Sequence, residues 1–146
     1  MDYIDTSALI KGYLIEAGTP TFMRWFSDEA VPCISPLSIV EFKCVVRRRE
    51  RAGELMSSRA RAILGRFERD LVDGTLEQLA WPASAFLSAS DLIDRLMPLP
   101  LRALDALHLA VARSHGCKGL ASADMQQLRA ARALGMTTHS FASQHE

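Results

Sequence analysis

Asp5, Glu41, Asp105 and Asp124 each stand among residues that otherwise read as buried core. Acidic side chains are seldom buried unless they are paired or hold a metal, so four of them from distant parts of one chain need a common partner. A divalent cation is the simplest. One helical turn either side of Glu41 lie Leu37, Cys44 and Val45, and around Asp105 lie Leu101, His108 and Leu109. The three cysteines, Cys33, Cys44 and Cys117, are widely spaced, and neither they nor His108, His115, His139 and His145 have zinc-ligand spacing. Oxygen ligands remain, which favours a hard ion such as Mg²⁺ or Mn²⁺.

The elements that must position these acids follow from apolar periodicity and turn residues. Tyr3 to Asp5 reads as a first strand, followed by a helical stretch from Ala8 to Glu16 and a second helix carrying Phe22, Trp25 and Phe26. Val31 to Ser35 reads as a second strand. Pro36 suits the start of a helix from Leu37 to Ala52, and Ser57 or Ser58 that of another to Asp73. Thr75 to Trp81 reads as a strand, Pro82 to Met97 and Leu101 to His115 as helices. Lys118 to Ala121, a helix from Asp124 to Leu134, and Met136 to His139 complete the chain, with glycines 53, 74, 116 and 135 as helix stops. The last residues read as a loose tail. This alternation predicts an α/β fold, a three-layer α/β/α sandwich around a mainly parallel five-stranded sheet, in which ligands bind beyond the carboxyl ends of the strands.

On that fold the acids meet. Asp5 ends strand one, and Asp124 lies just beyond strand four. Glu41 and Asp105 each sit about five residues into helices that begin near the same rim, within roughly 8 Å of their starts. Asp2 falls at the opposite end of its strand. Plainer roles stand beside this reading: Asp5 and Asp124 as helix caps, the latter with Gln127 in a capping box, and Glu41 and Asp105 as ion-pair partners of Arg48 or Arg102.

At 146 residues and 49% hydrophobic content, with no repeat, residues 1–146 make one domain. No apolar run is long enough to cross a bilayer, and the opening residues lack the pattern of a secretory signal, so the expectation is a cytoplasmic protein with no membrane association. Net charge is zero, yet fourteen of the seventeen cations are arginine, and Lys43, Arg47, Arg48, Arg49 and Arg51 crowd one segment. Such a segment either meets phosphate or an acidic partner, or is a solvated face laced with Glu50 and Glu54.

Four stretches together resemble the motifs of PIN-domain nucleases: Tyr3 to Lys11, the Ser-Pro-Leu-Ser-Ile-Val-Glu-Phe segment around Glu41, Leu-Asp-Ala-Leu-His-Leu-Ala around Asp105, and Leu-Ala-Ser-Ala-Asp around Asp124. Their order and spacing are similar to those of VapC-type toxins of toxin-antitoxin pairs. The resemblance implies a homodimeric endoribonuclease that uses Mg²⁺ or Mn²⁺, cuts tRNA, rRNA or mRNA to limit translation or growth, and is restrained by a VapB-type antitoxin. It makes Asp5, Glu41, Asp105 and Asp124 the acidic quartet, with Thr6 and Ser122 as supporting hydroxyls. Many relatives carry a further acid two residues after the fourth; Gln126 stands there.

From the site itself, Asp5 and Asp105 are expected as direct metal ligands, Asp124 as a direct or water-mediated one, and Glu41 as ligand or general base. Arg102 and Lys43 are expected to hold the RNA backbone. His108 reads as interface filling rather than a general acid, and Trp25, Trp81 and Phe86 as core rather than base-stacking platforms. An aspartyl phosphotransferase is disfavoured because no second aspartate lies two residues after Asp5. The alternative to cleavage is a PIN-like module that binds RNA or protein without cutting.

Overall fold

A computed structural model describes residues 1–143, so His145 and the end of the expected tail lie outside the described residues. Five short strands, β1 (Asp2–Ile4), β2 (Pro32–Ile34), β3 (Glu77–Gln78), β4 (Gly119–Ser122) and β5 (Thr137–Ser140), form one sheet in the order β3-β2-β1-β4-β5. Every strand pairing is parallel. Connections between parallel strands must cross over, and helices fill them: α1 (Thr6–Leu9), α2 (Thr19–Asp28), α3 (Pro36–Arg51), α4 (Ser57–Val72), α5 (Ala85–Arg95), α6 (Ala103–Ser114) and α7 (Met125–Ala133).

Alternation along the strands divides the core in two. Tyr3, Cys33 and Leu120 pack with α5, α6 and α7, while Ile4, Ile34 and Ala121 pack with the helices α1 to α4. Both faces of the sheet are therefore covered, and the predicted three-layer arrangement holds. No helix among the described residues is long and apolar enough to cross a membrane.

Two elements differ from the expectation. The helix expected from Ala8 to Glu16 stops at Leu9 and tightens into a 3-10 turn over Ile10–Gly12. A Cβ on Gly12 would lie 3.0 Å from the Phe22 ring, so this turn is where α2 closes onto the chain. The third strand pairs over only two residues, because as an edge it meets β2 alone and its flanks, Leu76 and Leu79, turn inward to the two cores. The three cysteines are free thiols, Cys33 and Cys117 buried with their sulfurs 3.5 Å apart and Cys44 exposed. Trp25 is buried and Trp81 packs against the core, whereas Phe86 is exposed on α5.

Candidate active site

The register of the two central strands sets the site. Tyr3 pairs with Leu120 and Ile4 with Ala121, and the Asp5 amide donates to the Ala121 carbonyl, which brings Asp5 beside Ser122 at the carboxyl edge. Asp5 is 4% exposed and caps α1. Its Oδ1 accepts from the Ser7 hydroxyl at 2.7 Å and the Ala8 amide at 3.1 Å, and its Oδ2 from the Ser122 hydroxyl at 2.8 Å. Asp124 caps α7, its Oδ1 accepting the amides of Gln126 at 2.8 Å and Gln127 at 3.2 Å. The N-caps foreseen for both acids are real, and each also faces the groove, but the capping box with Gln127 does not form because the Asp124 amide donates to Ser122 instead. Gln127 is fully buried, and its side-chain oxygen lies toward Ser122.

Ser122 ties these two acids together: it donates to Asp5 and accepts the Asp124 amide at 2.9 Å. Ser7 makes the matching link from the other side, accepting the Ala123 amide at 2.9 Å. Two hydroxyls thus lock the ends of β1 and β4 into one rim.

Glu41 comes from α3, which Ser35 precedes and Pro36 opens. Its Oε1 accepts from the Thr6 hydroxyl at 3.0 Å and is hydrogen-bonded to His108 Nε2; Arg48 is not its partner. His108 Nδ1 lies 2.6 Å from the Tyr3 hydroxyl, which donates onward to Ser35 Oγ at 2.7 Å. This buried string of side chains was invisible as a unit in the sequence. The available signals were that His108 stands three residues after Asp105 on one helix face, and that Tyr3 and Asp5 are two apart in the extended segment that opens the chain.

Asp105 lies in the first turn of α6, closer to the helix start than expected because the helix begins at Ala103. Arg102 spans Asp105 and Asp124, donating from Nε to Asp105 Oδ2 at 3.3 Å and from Nη2 to Asp124 Oδ2 at 2.9 Å. Lys43, on α3, is exposed and does not line the groove. The four acids, Thr6, Arg102 and His108 do line it, within a volume of about 820 Å³. At its far end Glu16 accepts from Lys11 Nζ at 3.1 Å and Arg49 Nη2 at 2.7 Å, with Arg48 alongside.

The acids do not share one electrostatic setting. Burial pushes Asp5 above the usual carboxylate range, against the pull of His108 and its hydroxyl donors. Burial also pushes Glu41 up, but the hydrogen bond and charge of His108, with Thr6, outweigh it and hold Glu41 low. Asp105 is raised by burial and by the neighbouring charge of Asp124, which Arg102 offsets only in part. The site therefore holds one carboxylate kept ionised and two that favour a cation or a proton.

Among the described residues, no group of three Asp, Glu, His or Cys side chains is arranged in this conformation to hold an ion alone. The donor chemistry nonetheless fits a hard divalent ion, because carboxylate oxygens of Asp105 and Asp124 already converge on one cationic group.

Fold and site together define a three-layer α/β protein with an acidic groove at the carboxyl edge of its sheet. The chain belongs to the PIN domain family, whose model matches residues 3–133. Solved structures agree on the fold. Mycobacterium tuberculosis VapC20, a sarcin-ricin loop cleaving toxin, is 17% identical with a TM-score of 0.71, over 93% of this chain and 96% of that one. FitAcB from Neisseria gonorrhoeae is 14% identical with a TM-score of 0.70, over 94% and 96%. VapBC2 from Rickettsia felis, bound to a DNA fragment from its promoter, is 14% identical with a TM-score of 0.68, over 97% and 99%. No curated protein sequence matches the chain significantly.

Proposed function

We propose that the chain is a metal-dependent endoribonuclease that hydrolyses RNA phosphodiester bonds as the toxin of a toxin-antitoxin pair. The observation that carries this reading is the convergence of Asp5, Glu41, Asp105 and Asp124, from four separated segments, on one open groove of a PIN domain. Asp5, Asp105 and Asp124 would hold Mg²⁺ or Mn²⁺, which when bound supplies charge neutralisation at the phosphate and a more acidic water. The residues do the rest. Glu41, kept ionised by His108, accepts the proton of the attacking water as the water oxygen bonds to phosphorus, and the ribose oxygen, whose bond to phosphorus breaks, leaves with a proton taken from solvent. Thr6 fixes the rotamer of Glu41, and Ser122 that of Asp5. Arg102 at the mouth, and Arg48 and Arg49 at the far end, give the RNA backbone its cationic contacts. No covalent protein nucleophile takes part.

The likeness to VapC20, a sarcin-ricin loop cleaving toxin, and to VapBC2 supports an RNA substrate and a VapB-type antitoxin; a homodimer in the cytoplasm belongs to the same proposal. The test is cleavage of total RNA, tRNA and rRNA by the purified chain with Mn²⁺ or Mg²⁺ against EDTA. Metal-dependent cutting that disappears in Asp5→Asn and Asp105→Asn is the expected result. A folded chain that binds RNA and leaves it intact with either metal would replace this reading with a binding module that does not cut.

A further inference from the structure

Asp124 has two carboxylate oxygens with different duties. Oδ1 accepts the amides of Gln126 and Gln127 and so caps α7, which leaves Oδ2 as the oxygen turned outward. Arg102 already takes it at 2.9 Å, and through Nε reaches Asp105 Oδ2 at 3.3 Å. A divalent ion entering between Asp105 and Asp124 must compete for the same atom. The arginine side chain is 77% exposed, so its hold on each acid is that of a surface ion pair and it has room to swing away.

We infer that Arg102 is an exchangeable counter-ion: it holds Asp105 and Asp124 together in the metal-free protein, yields Asp124 Oδ2 to the incoming divalent ion, and is thereby freed for a substrate phosphate. This rests on the metal-nuclease reading above. Two like charges so close repel, and a guanidinium fork spanning both keeps them together until an ion of higher charge replaces it. Lysine at 102 has one point charge and cannot span the pair in the same way.

The experiment is a titration of the full, metal-stripped chain with Mn²⁺ alone, free ion being read by electron paramagnetic resonance, for wild type, Arg102→Met and Arg102→Lys. Circular dichroism confirms folding, and KM for RNA is measured in parallel. Losing two surface ion pairs should tighten Mn²⁺ binding in Arg102→Met by about threefold to twentyfold, with Arg102→Lys between, while KM for RNA rises. A purely structural role for Arg102 predicts the opposite sign for the metal, since a loosened α6 start would weaken the site. Equal or weaker Mn²⁺ binding in Arg102→Met overturns the exchange and leaves the metal nuclease standing. Folded chains that all fail to bind Mn²⁺ overturn both.

Discussion

His108 Nε2 and Glu41 Oε1 are hydrogen-bonded across the groove, joining α6 to α3. Because the other ring nitrogen meets Tyr3, and Tyr3 meets Ser35, the carboxylate is held by a line of side chains anchored in β1 and at the start of α3. Its orientation is fixed from behind, away from solvent.

Removing that support should be costly. His108→Ala takes one of the hydrogen-bond partners of the buried Tyr3 hydroxyl and the imidazole partner of Glu41, so we expect about 2–4 kcal/mol lost in urea unfolding and a fall in kcat on the order of 10–100-fold. Tyr3→Phe keeps the ring and removes only the hydroxyl; about 1 kcal/mol and a smaller kinetic effect are expected. If both variants keep wild-type stability and turnover, the string has no positioning role.

Ser122→Ala tests the link between the two central strand ends. It takes a donor from buried Asp5 and an acceptor from the Asp124 amide, which should cost about 1–3 kcal/mol. Weaker Mn²⁺ binding should accompany it, since both acids lose orientation. Isothermal titration checks the second point, and unchanged affinity there would confine Ser122 to stability.

The acids also set a pH dependence for the metal-free protein. Asp5 and Asp105 have raised values, so their contribution to stability is present below the ordinary carboxylate range and is lost as pH climbs through the raised values. Glu41 is lowered and runs the other way, its contribution being present above the ordinary glutamate value and lost as pH falls through the lowered one. With EDTA present, Asp5→Asn should therefore raise Tm by a few degrees at pH 7.5 and by less at pH 5, while in Mn²⁺ the same variant should not cleave RNA. A scanning calorimeter decides it: a variant that melts below wild type at both pH values contradicts the assignment.

Much of this site was legible in the sequence, and the boundary is physical. Strand ends, helix starts and glycine stops such as Gly116 and Gly135, both at positive φ, are local, so Asp5, Glu41, Asp105 and Asp124 fell on one rim by counting residues. Which cation faces which acid is not local. Arg48 was one possible partner for Glu41, but His108 fills that place, and Arg49 turns instead to Glu16. The expected early helix ended at Leu9, where the chain tightens into the turn that brings Gly12 against Phe22.

Glu16 itself offers a contrast between breaking and replacing a charge pair. Lys11 is 5% exposed and relies on Glu16 and the Ala17 carbonyl, so Glu16→Gln should cost about 2 kcal/mol by leaving its ammonium short of a carboxylate. Lys11→Met, which removes the charge instead, should lie within about 1 kcal/mol of wild type. Guanidinium unfolding of the two variants measures the difference, and equal losses would show that the pair acts only through packing.

The pairing of β1 with β4 has a consequence in time. The strand that leads into Asp5 lies mid-sheet and needs Gly119–Ser122, a segment remote in sequence, before its edge on that side is closed. A growing chain that has not yet reached β4 cannot assemble the groove, since Ser122 and Asp124 are missing from it.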